Sequence, residues 1–423
     1  MVSALLTNAA VGFFSIVFLV AAAEFVVKKM EGVAKHYGIS EVVIAVTIIS
    51  IGTSLPEITL HLVGSVKILL SSGVFFESLG SSIPMFFVEP FSQVASSLAE
   101  QGVISEQASS EALDVYRQQS GTVVGASIGS DVVQETLVIG LVIISSALLA
   151  GKHSFKFSRK FLIRNYAPMV GTSFITLFLA LNWEGLIRFF LGGPLQVSGV
   201  LTRLDGFILV GSFVAYMYYI YTTRGEKLAE QGDVSASERP VIDLLIGLGA
   251  MGVVIVSADF FLSVVEVFVR ETGLSGSMIG VATVGVVSAF PEMITAISGL
   301  RHGSEGVSLG TLVGSNITNP LLAIGSGAAL STYTVPRPLV LWDLPMEIFL
   351  AGLPVGYMYV RSDIGDLISK PFYRLGLSST ARKLESAENR KLSIAGAVVL
   401  IALYFFYIYV RFNYFQYDFV GGA

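Results

Sequence analysis

Long apolar runs alternate with short polar connections along nearly the whole chain. Ten of these runs approach or exceed the length of about 20 residues at which a helix crosses a bilayer. They lie at residues 9–27, 42–70, 121–150, 161–182, 204–223, 241–269, 276–300, 307–331, 337–360 and 392–411. The short alternating segments typical of a membrane barrel are absent from the sequence. The pattern therefore predicts an all-α polytopic membrane protein with ten transmembrane helices. The first run is interpreted as a retained helix, because no basic start or cleavage site accompanies it.

Composition agrees with this prediction and excludes several classes of function. Of the 423 residues, 53% are hydrophobic and 13% are charged, and the mean hydropathy is +0.74. Because the sequence has no cysteine, it cannot form disulfides, thiolate metal sites or iron–sulfur clusters. No glycine-rich phosphate-binding loop precedes a lysine and a hydroxyl, which argues against ATP-driven transport. We expect no cofactor, no enzymatic activity and no nucleic-acid partner, and a lipid bilayer as the surroundings.

One carboxylate lies inside the second apolar run, in the segment 52–57 (Gly-Thr-Ser-Leu-Pro-Glu). A charge at membrane depth costs at least about 2.5 kcal/mol unless it is paired. Proline removes a backbone donor and clashes with the carbonyl four residues earlier, so we expect the helix to kink near Pro56. A glycine, two hydroxyls, a loosened backbone and the acid Glu57 together predict a cation site.

The same stretch occurs a second time, in the segment 288–292 (Ser-Ala-Phe-Pro-Glu). A shift of 235 positions places Glu57 on Glu292, and a shift of 185 positions places Ser130 on Ser315. The first copy therefore carries an insertion of about 50 residues. In membrane proteins such repeats are typical of secondary transporters, whose binding site lies where interrupted helices meet.

The distribution of positive charge predicts the orientation. Alternate connections, counted from the first run, contain nineteen of the 26 Lys and Arg residues. The positive-inside rule places this face in the cytoplasm and both termini outside. Five runs per repeat is an odd number, so the second repeat is inverted relative to the first. The predicted organisation is a first repeat at 1–223 with an extracellular insertion at about 68–117, a cytoplasmic linker at 224–240 and a second repeat at 241–423.

The paired motifs, Gly-Thr-Ser-Leu-Pro-Glu and then Gly-Ser-x-x-x-(Asn/Gln), resemble those of the cation/calcium exchanger superfamily, and within it the sodium/calcium exchangers. The similarity covers nearly the whole chain apart from the insertion. The hydrogen/calcium exchangers of the same superfamily typically have a Gly-Asn-x-x-Glu form in the first motif, which does not stand here. The resemblance implies ten helices, an ion site between the second, third, seventh and eighth, and alternating access by movement of the first and sixth.

The resemblance also implies the ligands. Glu57 and Glu292 would be the two calcium carboxylates, and Thr53 and Ser288 would add oxygens. Ser54, Ser130 and Ser315 fall where the family places oxygens for the counter-ion, with the carbonyls of Ser50 and Gly285 nearby. Gln134 and Asn319 fall at the family's amide or carboxylate positions of the third and eighth helices. The spacing agrees, because each acid or amide follows its hydroxyl at i+4 and shares its helix face. Two carboxylates with neutral oxygens suit Ca²⁺, whereas a soft or redox metal would require Cys or His.

The sequence departs from the family pattern in three places, which leaves the counter-ion open. Ala289 lacks the hydroxyl of its repeat mate, and Asn319 is neutral where some family members have Asp. The third helix gains Asp131, expected to serve helix packing, and Glu135, which projects about 100° round the helix from the preceding residue. We favour Na⁺ as the counter-ion, with H⁺ as the alternative.

Other polar groups allow two interpretations each. His61, one turn beyond the first glutamate, is either a packing histidine or a proton relay. Glu24 and Asp259 are repeat mates that either line the ion path or cap a helix end. The acidic insertion is either a solvated cap or a surface that gathers cations at the entrance.

The sequence thus predicts a monomeric secondary antiporter of the cell membrane. It would export Ca²⁺ in exchange for Na⁺ at a mid-membrane site that faces the two sides in turn. H⁺-coupled exchange of Ca²⁺ or another divalent cation is the alternative. A cation channel with a glutamate ring fits less well, because two unlike half-sites in one chain form a poor symmetric pore. An intramembrane hydrolase fits least, because the hydroxyl-rich ligand shell and the kinked repeats suit it badly.

Overall fold

The computed structural model is predominantly helical. It describes residues 2–37, 45–70, 106–150, 154–156, 161–181, 199–223, 236–272, 274–301, 305–354 and 391–418, together with a few isolated positions. Two predicted features lie largely outside the described residues: the extracellular insertion, and residues 224–235 of the linker at 224–240. The end of the insertion is described, and residues 106–117 form the start of a long helix there.

Twelve helices and four short strands follow one another in the described part, in two series of the same order. The first series consists of α1 (Val2–Tyr37), α2 (Ala45–Thr53), α3 (Leu55–Leu70), α4 (106–150), β1 (Ser154–Lys156), α5 (161–180), β2 (Gly199–Leu201) and α6 (Arg203–Thr223). The second consists of α7 (Pro240–Thr272), α8 (276–288), α9 (Phe290–Arg301), α10 (305–331), β3 (Tyr333–Val335), α11 (337–354), β4 (Lys391–Ser393) and α12 (Ile394–Tyr414).

Breaks in the helices fall where the repeated prolines predict them. The pair α2 and α3 bends by 52° at Ser54, and α8 gives way to α9 at the repeat mate, Ala289. Each break lies two residues before a proline, which cannot donate the backbone bond that would continue the helix. As a result, Glu57 and Glu292 each fall in the first turn of a new helix.

Short π-helical segments recur at equivalent places in the two series. In the described residues they lie at Ala45–Ile49, Gln134–Val138 and Leu162–Tyr166, and again at Gly280–Val284, Asn319–Ile324 and Leu339–Asp343. Such segments are rare in proteins, and those that do occur are often found at functional sites. Here the two that begin at Gln134 and Asn319 start on residues that the sequence assigns to ion binding.

Helix packing also recurs when the two series are exchanged. The long helices α1 and α7 pack on each other, α2 packs on α10 as α8 packs on α4, and α6 packs on α10 as α12 packs on α4. Strand β1 pairs antiparallel with β4, and β2 pairs antiparallel with β3. The interior is therefore built from α3, α4, α9 and α10, with each series contributing two of these helices.

The crossing of α4 over α8 requires glycine. A Cβ atom added at Gly129 would lie 2.5 Å from the carbonyl oxygen of Val281, and one at Gly125 would lie 2.8 Å from that of Ser277. Real side chains do not tolerate such distances, so any other residue would push the helices apart.

The molecule is apolar on its outside and polar in part of its interior. Large side chains such as Phe13, Phe178 and Phe405 are exposed, whereas both repeat glutamates are fully buried. Among the described residues, five helices are long and apolar enough to span a membrane, or six if the bent pair α2 and α3 counts as one span. The fold is therefore that of an integral membrane protein.

Candidate ion-binding site

Two fully buried carboxylates form the centre of the candidate site. Glu57 and Glu292 each have 0% of their surface exposed. The two carboxylates, in the first turns of α3 and α9, interact electrostatically with each other. In the part of the chain that the structure describes, neither carboxylate forms an ion pair. Two negative groups held together away from water attract a cation strongly, because burial removes the screening that water would give.

On the Glu57 side, a chain of hydrogen bonds leads away from the carboxylate. The Ser130 hydroxyl donates to Glu57 Oε1 over 3.0 Å, and Gln134 Nε2 donates to the Ser130 oxygen over 3.1 Å. Asn316 Nδ2 in turn donates to Gln134 Oε1 over 3.3 Å. Ser288, from the opposite repeat, also interacts with Glu57. Each predicted residue on this side therefore contributes to one connected network.

On the Glu292 side, two serines share one carboxylate oxygen. The Ser315 hydroxyl donates to Glu292 Oε1 over 3.1 Å and the Ser54 hydroxyl to the same oxygen over 3.3 Å. The two hydroxyls are 2.8 Å apart. Thr53 also interacts with Glu292. Because Ser54 and Thr53 come from the first series, each carboxylate is held by groups from both repeats.

The hydroxyls of Thr53 and Ser288 lie at the rim of this arrangement. Within their own helices, Thr53 Oγ1 donates to the Ser50 carbonyl over 3.3 Å and Ser288 Oγ to the Gly285 carbonyl over 3.2 Å. The same two carbonyls accept backbone hydrogen bonds at the two helix breaks. The hydroxyl oxygens keep their lone pairs for a cation, while the two carbonyls already have partners.

The ninth predicted residue, Asn319, bonds across the repeats to an acid. Its Nδ2 donates to Asp131 Oδ1 over 2.6 Å, and both side chains are buried. The bond joins α4 to α10, and it involves a residue of the predicted site. The packing role of Asp131 stays a prediction.

Three buried oxygens of the predicted site residues have no hydrogen-bond partner among the described residues. They are Oε2 of Glu57, Oε2 of Glu292 and Oδ1 of Asn319, and Oδ1 of the neighbouring Asn316 also has none. A buried acceptor without a partner is rare in proteins, and all three are ligands of the kind that hard cations take. Calcium needs six to eight oxygens, which these three and the neighbouring hydroxyls approach.

The described residues contain no cluster of three or more His, Cys, Asp or Glu side chains of the kind that holds a resident metal. The candidate site instead combines two carboxylates with hydroxyl and amide oxygens. Such a set binds hard cations while keeping the number of fixed charges low. This composition suits an ion that must leave again.

His61 has the contacts expected of a packing histidine. Its Nδ1 lies 3.1 Å from the Tyr333 hydroxyl and its Nε2 lies 2.8 Å from the Ser127 hydroxyl. Ser65 bonds to the same tyrosine over 2.8 Å. Both ring nitrogens are therefore engaged in a buried network that ties α3 to α4 and β3, at one side of the ion site.

Glu135 is buried, and neither of its carboxylate oxygens has a hydrogen-bond partner among the described residues. It interacts electrostatically with Asp131 and with Glu347 of α11. The sequence analysis did not single out Glu347, although an acid inside the apolar run 337–360 is a signal that could have identified it. The side chains of Glu24 and Asp259 lie outside the described residues.

Sequence reasoning also missed a buried ion pair. Arg411 of α12 donates through Nε to Asp343 Oδ2 of α11 over 2.9 Å, and neither side chain is exposed. Tyr407 donates to the other oxygen of Asp343 over 2.7 Å, and Ser277 accepts a bond from Arg411. Both charges lie in apolar runs of the sequence, so the signal was present.

Buried carboxylates where two broken helices meet, flanked by hydroxyls and amides, define a membrane-embedded cation transporter. Comparison of the sequence with known families agrees. The family model described as sodium/calcium exchanger protein matches residues 7–89, 91–222 and 243–413, so the chain belongs to this family.

Relatives and solved structures extend the match. The chain is 21% identical over 363 residues to the sodium/calcium exchanger MaX1 of Methanosarcina acetivorans, covering 79% of this chain and 87% of that one. It is 20% identical over 309 residues to the inner membrane protein YrbG of Escherichia coli K12, covering 70% and 72%. Among solved structures, the sodium-calcium exchanger NCX_Mj soaked with 10 mM Na⁺ matches with a TM-score of 0.56 and 15% identity, over 96% of this chain and 99% of the other. The last comparison shows that the fold is shared.

Proposed function

We propose that the protein is a secondary active antiporter that exports Ca²⁺ in exchange for Na⁺. The observation that carries the proposal is the pair of buried carboxylates, Glu57 and Glu292, each with one oxygen that has no hydrogen-bond partner among the described residues. Membership of the sodium/calcium exchanger family supports the choice of ions, as does the similarity to an exchanger named for sodium and calcium.

The proposed architecture has ten transmembrane helices in two inverted five-helix repeats. The bent pairs α2–α3 and α8–α9 each count as one span, as do the π-interrupted helices. The repeated order of elements and the recurring contacts support this arrangement. We further propose that the protein acts as a monomer in the cell membrane with both termini outside, as the Lys and Arg distribution predicts.

Charge explains why such a site would exchange ions and not leak them. With no cation bound, Glu57 and Glu292 would be two uncompensated charges deep in the membrane, which is costly. The empty site therefore resists the switch between inward-facing and outward-facing states. A bound Ca²⁺ or counter-ion removes that penalty, so each switch carries an ion.

The counter-ion is the less constrained part of the proposal. Hydroxyls at Ser54, Ser130 and Ser315 support Na⁺, because they add neutral oxygens beside the carboxylates. The buried and unpartnered carboxylate of Glu135 favours H⁺ as the second candidate, because a proton would need only one such group. The test must therefore separate the two gradients.

The experiment uses the full chain in proteoliposomes loaded with Ca²⁺. Calcium exit is followed first against a sodium gradient with pH clamped on both sides, and then against a pH gradient without sodium. We expect saturable exit that requires external sodium. Glu57→Gln protein in matched liposomes is the control for leak.

Three results would change the proposal. Exit driven by the pH gradient alone would replace Na⁺ by H⁺ and leave the carboxylate site intact. Rapid exit without any counter-ion would contradict antiport altogether. Exit equal to wild type from the Glu57→Gln liposomes would remove the site assignment.

A further inference from the structure

Two hydrogen bonds join the repeats beside the ion site, and they are repeat mates. Asn319 Nδ2 donates to Asp131 Oδ1 over 2.6 Å, and Asn316 Nδ2 donates to Gln134 Oε1 over 3.3 Å. The shift of 185 positions places Asp131 on Asn316 and Gln134 on Asn319. The two bonds therefore occupy equivalent places. Their directions are opposite, because Asn319 donates its bond whereas its repeat mate, Gln134, accepts one.

The acid determines which way the Asn319 amide is turned. An ionised carboxylate accepts hydrogen bonds and has no hydrogen to donate, so it receives the NH₂ group of the amide. The Asn319 Nδ2 atom lies 2.6 Å from Asp131 Oδ1. The carbonyl oxygen of Asn319 must then point away from Asp131, and it is buried without a hydrogen-bond partner among the described residues.

The other bond leaves the Gln134 oxygen engaged. Asn316 Nδ2 donates to Gln134 Oε1, and Gln134 Nε2 donates to the Ser130 oxygen. Both ends of this amide are therefore engaged within the protein. Of the two amides that the sequence assigns to the site, Gln134 has both ends engaged, whereas the oxygen of Asn319 has no partner among the described residues. The oxygen of Asn316 has none there either, although no acid holds that amide.

The Asp131–Asn319 pair adjoins the ion site. Asp131 interacts electrostatically with both Glu57 and Glu292, and Asn319 lies one helical turn after Ser315, which bonds to Glu292. Residues four apart share a helix face, so the Asn319 side chain lies on the same face of α10 as a hydroxyl that contacts a site carboxylate.

We propose that Asp131 is a positioning residue that holds the Asn319 amide so that its oxygen serves as a cation ligand. This inference rests on the proposed function, because it needs the cation to bind between Glu57 and Glu292. It assigns Asp131 a role in binding beyond helix packing. It also explains how a neutral residue at position 319 can act as a ligand. The acid that some family members have at this position is replaced here by Asp131, the hydrogen-bond partner of Asn319.

The test reverses the bond. Asp131→Asn removes the acid and allows the amide of Asn319 to turn either way. Asn319→Asp alone sets two carboxylates against each other. The double variant Asp131→Asn with Asn319→Asp exchanges the two groups, so that an amide at 131 donates to a carboxylate at 319 with the same shape and the same net charge.

The measurements are the KM for Ca²⁺ and the maximal exchange rate in proteoliposomes, together with the Ca²⁺-dependent shift in melting temperature in detergent. For Asp131→Asn we expect the KM to rise about 10- to 100-fold, the range seen when a group that orients a metal ligand is removed, with the maximal rate changed less than about twofold. The double variant should recover the KM to within about threefold of wild type. Asp114→Asn is the matched control, since it makes the same change at an exposed position of the same helix.

Each outcome decides the matter. An unchanged KM in Asp131→Asn would overturn the proposal. If the single variants melt early, the double variant decides, because it keeps the interhelical bond. A double variant with a normal melting temperature but a KM for Ca²⁺ as high as that of Asp131→Asn would also overturn the proposal. Loss of transport in Glu57→Gln with no effect of Asp131→Asn would reject this inference alone, whereas normal transport in Glu57→Gln would reject the proposed function.

Discussion

The two halves of the candidate site have nearly the same backbone but different polar connections. Glu292 receives two serine hydroxyls, one of which, Ser54, comes from the opposite repeat. Glu57 cannot receive the equivalent hydroxyl, because the repeat mate of Ser54 is Ala289. Its serine is instead backed by the chain through Gln134 to Asn316.

This difference separates two roles that a symmetric site would mix. The Glu292 half places two serine hydroxyl oxygens 2.8 Å apart beside its carboxylate. In the Glu57 half, the hydrogen and the oxygen of Ser130 are both committed. We therefore expect the carboxylates to act alike towards Ca²⁺, and the two serine hydroxyls of the Glu292 half to dominate binding of the monovalent ion.

The largest effect should come from removing either carboxylate. Glu57→Gln and Glu292→Gln each halve the negative charge facing Ca²⁺ with little change in shape. With Ca²⁺ bound, each carboxylate would be one partner of a buried pair of opposite charges. Removing one partner of such a pair costs about 3–5 kcal/mol, so calcium exchange should fall by about 100-fold or more in both variants. Initial rates of calcium uptake into proteoliposomes measure this.

Equal loss in the two glutamine variants would support the equivalence of the two carboxylates towards Ca²⁺. A variant that kept more than about one tenth of the wild-type rate would show that its carboxylate is not a calcium ligand. Melting curves in detergent serve as the control, and we expect both proteins to remain folded.

A smaller effect should come from exchanging the serine that distinguishes the halves. Ser54→Ala removes a hydroxyl that contacts both Glu292 and Ser315, and a lost hydrogen bond to a charged group is worth about 1.5–3 kcal/mol. We expect the sodium concentration for half-maximal exchange to rise about tenfold, with calcium affinity changed much less.

The reciprocal variant, Ala289→Ser, adds the missing hydroxyl to the other half. Its side chain is buried, so the added oxygen should lower the half-saturating sodium concentration by a few-fold if it reaches Glu57. A sodium titration of both variants at fixed Ca²⁺ makes the comparison. If Ser54→Ala and Ala289→Ser changed the calcium affinity equally in opposite directions and left the half-saturating sodium concentration unchanged, the division of roles would be contradicted.

The smallest effect on transport is expected at His61, whose repeat mate is Ala296. Because both ring nitrogens already have partners, His61→Gln should leave the exchange rate within about twofold and the pH profile unchanged. Stability should fall by about 1–2 kcal/mol as hydrogen bonds are lost. A shifted pH profile, measured between pH 6 and about 8 in the range where histidine titrates, would restore the proton-relay interpretation.

Much of the fold was accessible from the sequence because its signals are local. Apolar runs of about 20 residues predict helices in a membrane, and the proline of each repeat predicts the two breaks that the structure shows. Ten spans, the inversion and the orientation of the termini stay predictions.

The site residues were found through the repeat, but the bonds between them were not. Spacing places Ser130 and Gln134 on one helix face, yet it does not show that Asn316 of the other repeat would bond to Gln134. Likewise, Asp131 could be identified as an unusual acid, while its partner across the repeats depends on how α4 meets α10. Contacts between helices far apart in sequence depend on packing, which one sequence without its relatives does not show.

The buried ion pair between Arg411 and Asp343 constrains the order in which the protein can be assembled. Arg411 lies in the last turn of α12, where the arginine of an undocked helix would extend to the membrane surface and keep its charge in water. Asp343 of α11 is made earlier in synthesis and offers the partner. Burial of the Arg411 charge should then wait until α12 docks against α11, and protease protection of nascent chains would reveal such a delay. The same pair would let cellular quality control recognise an unfinished protein, because an undocked α12 leaves Asp343 without its positive partner inside an apolar helix.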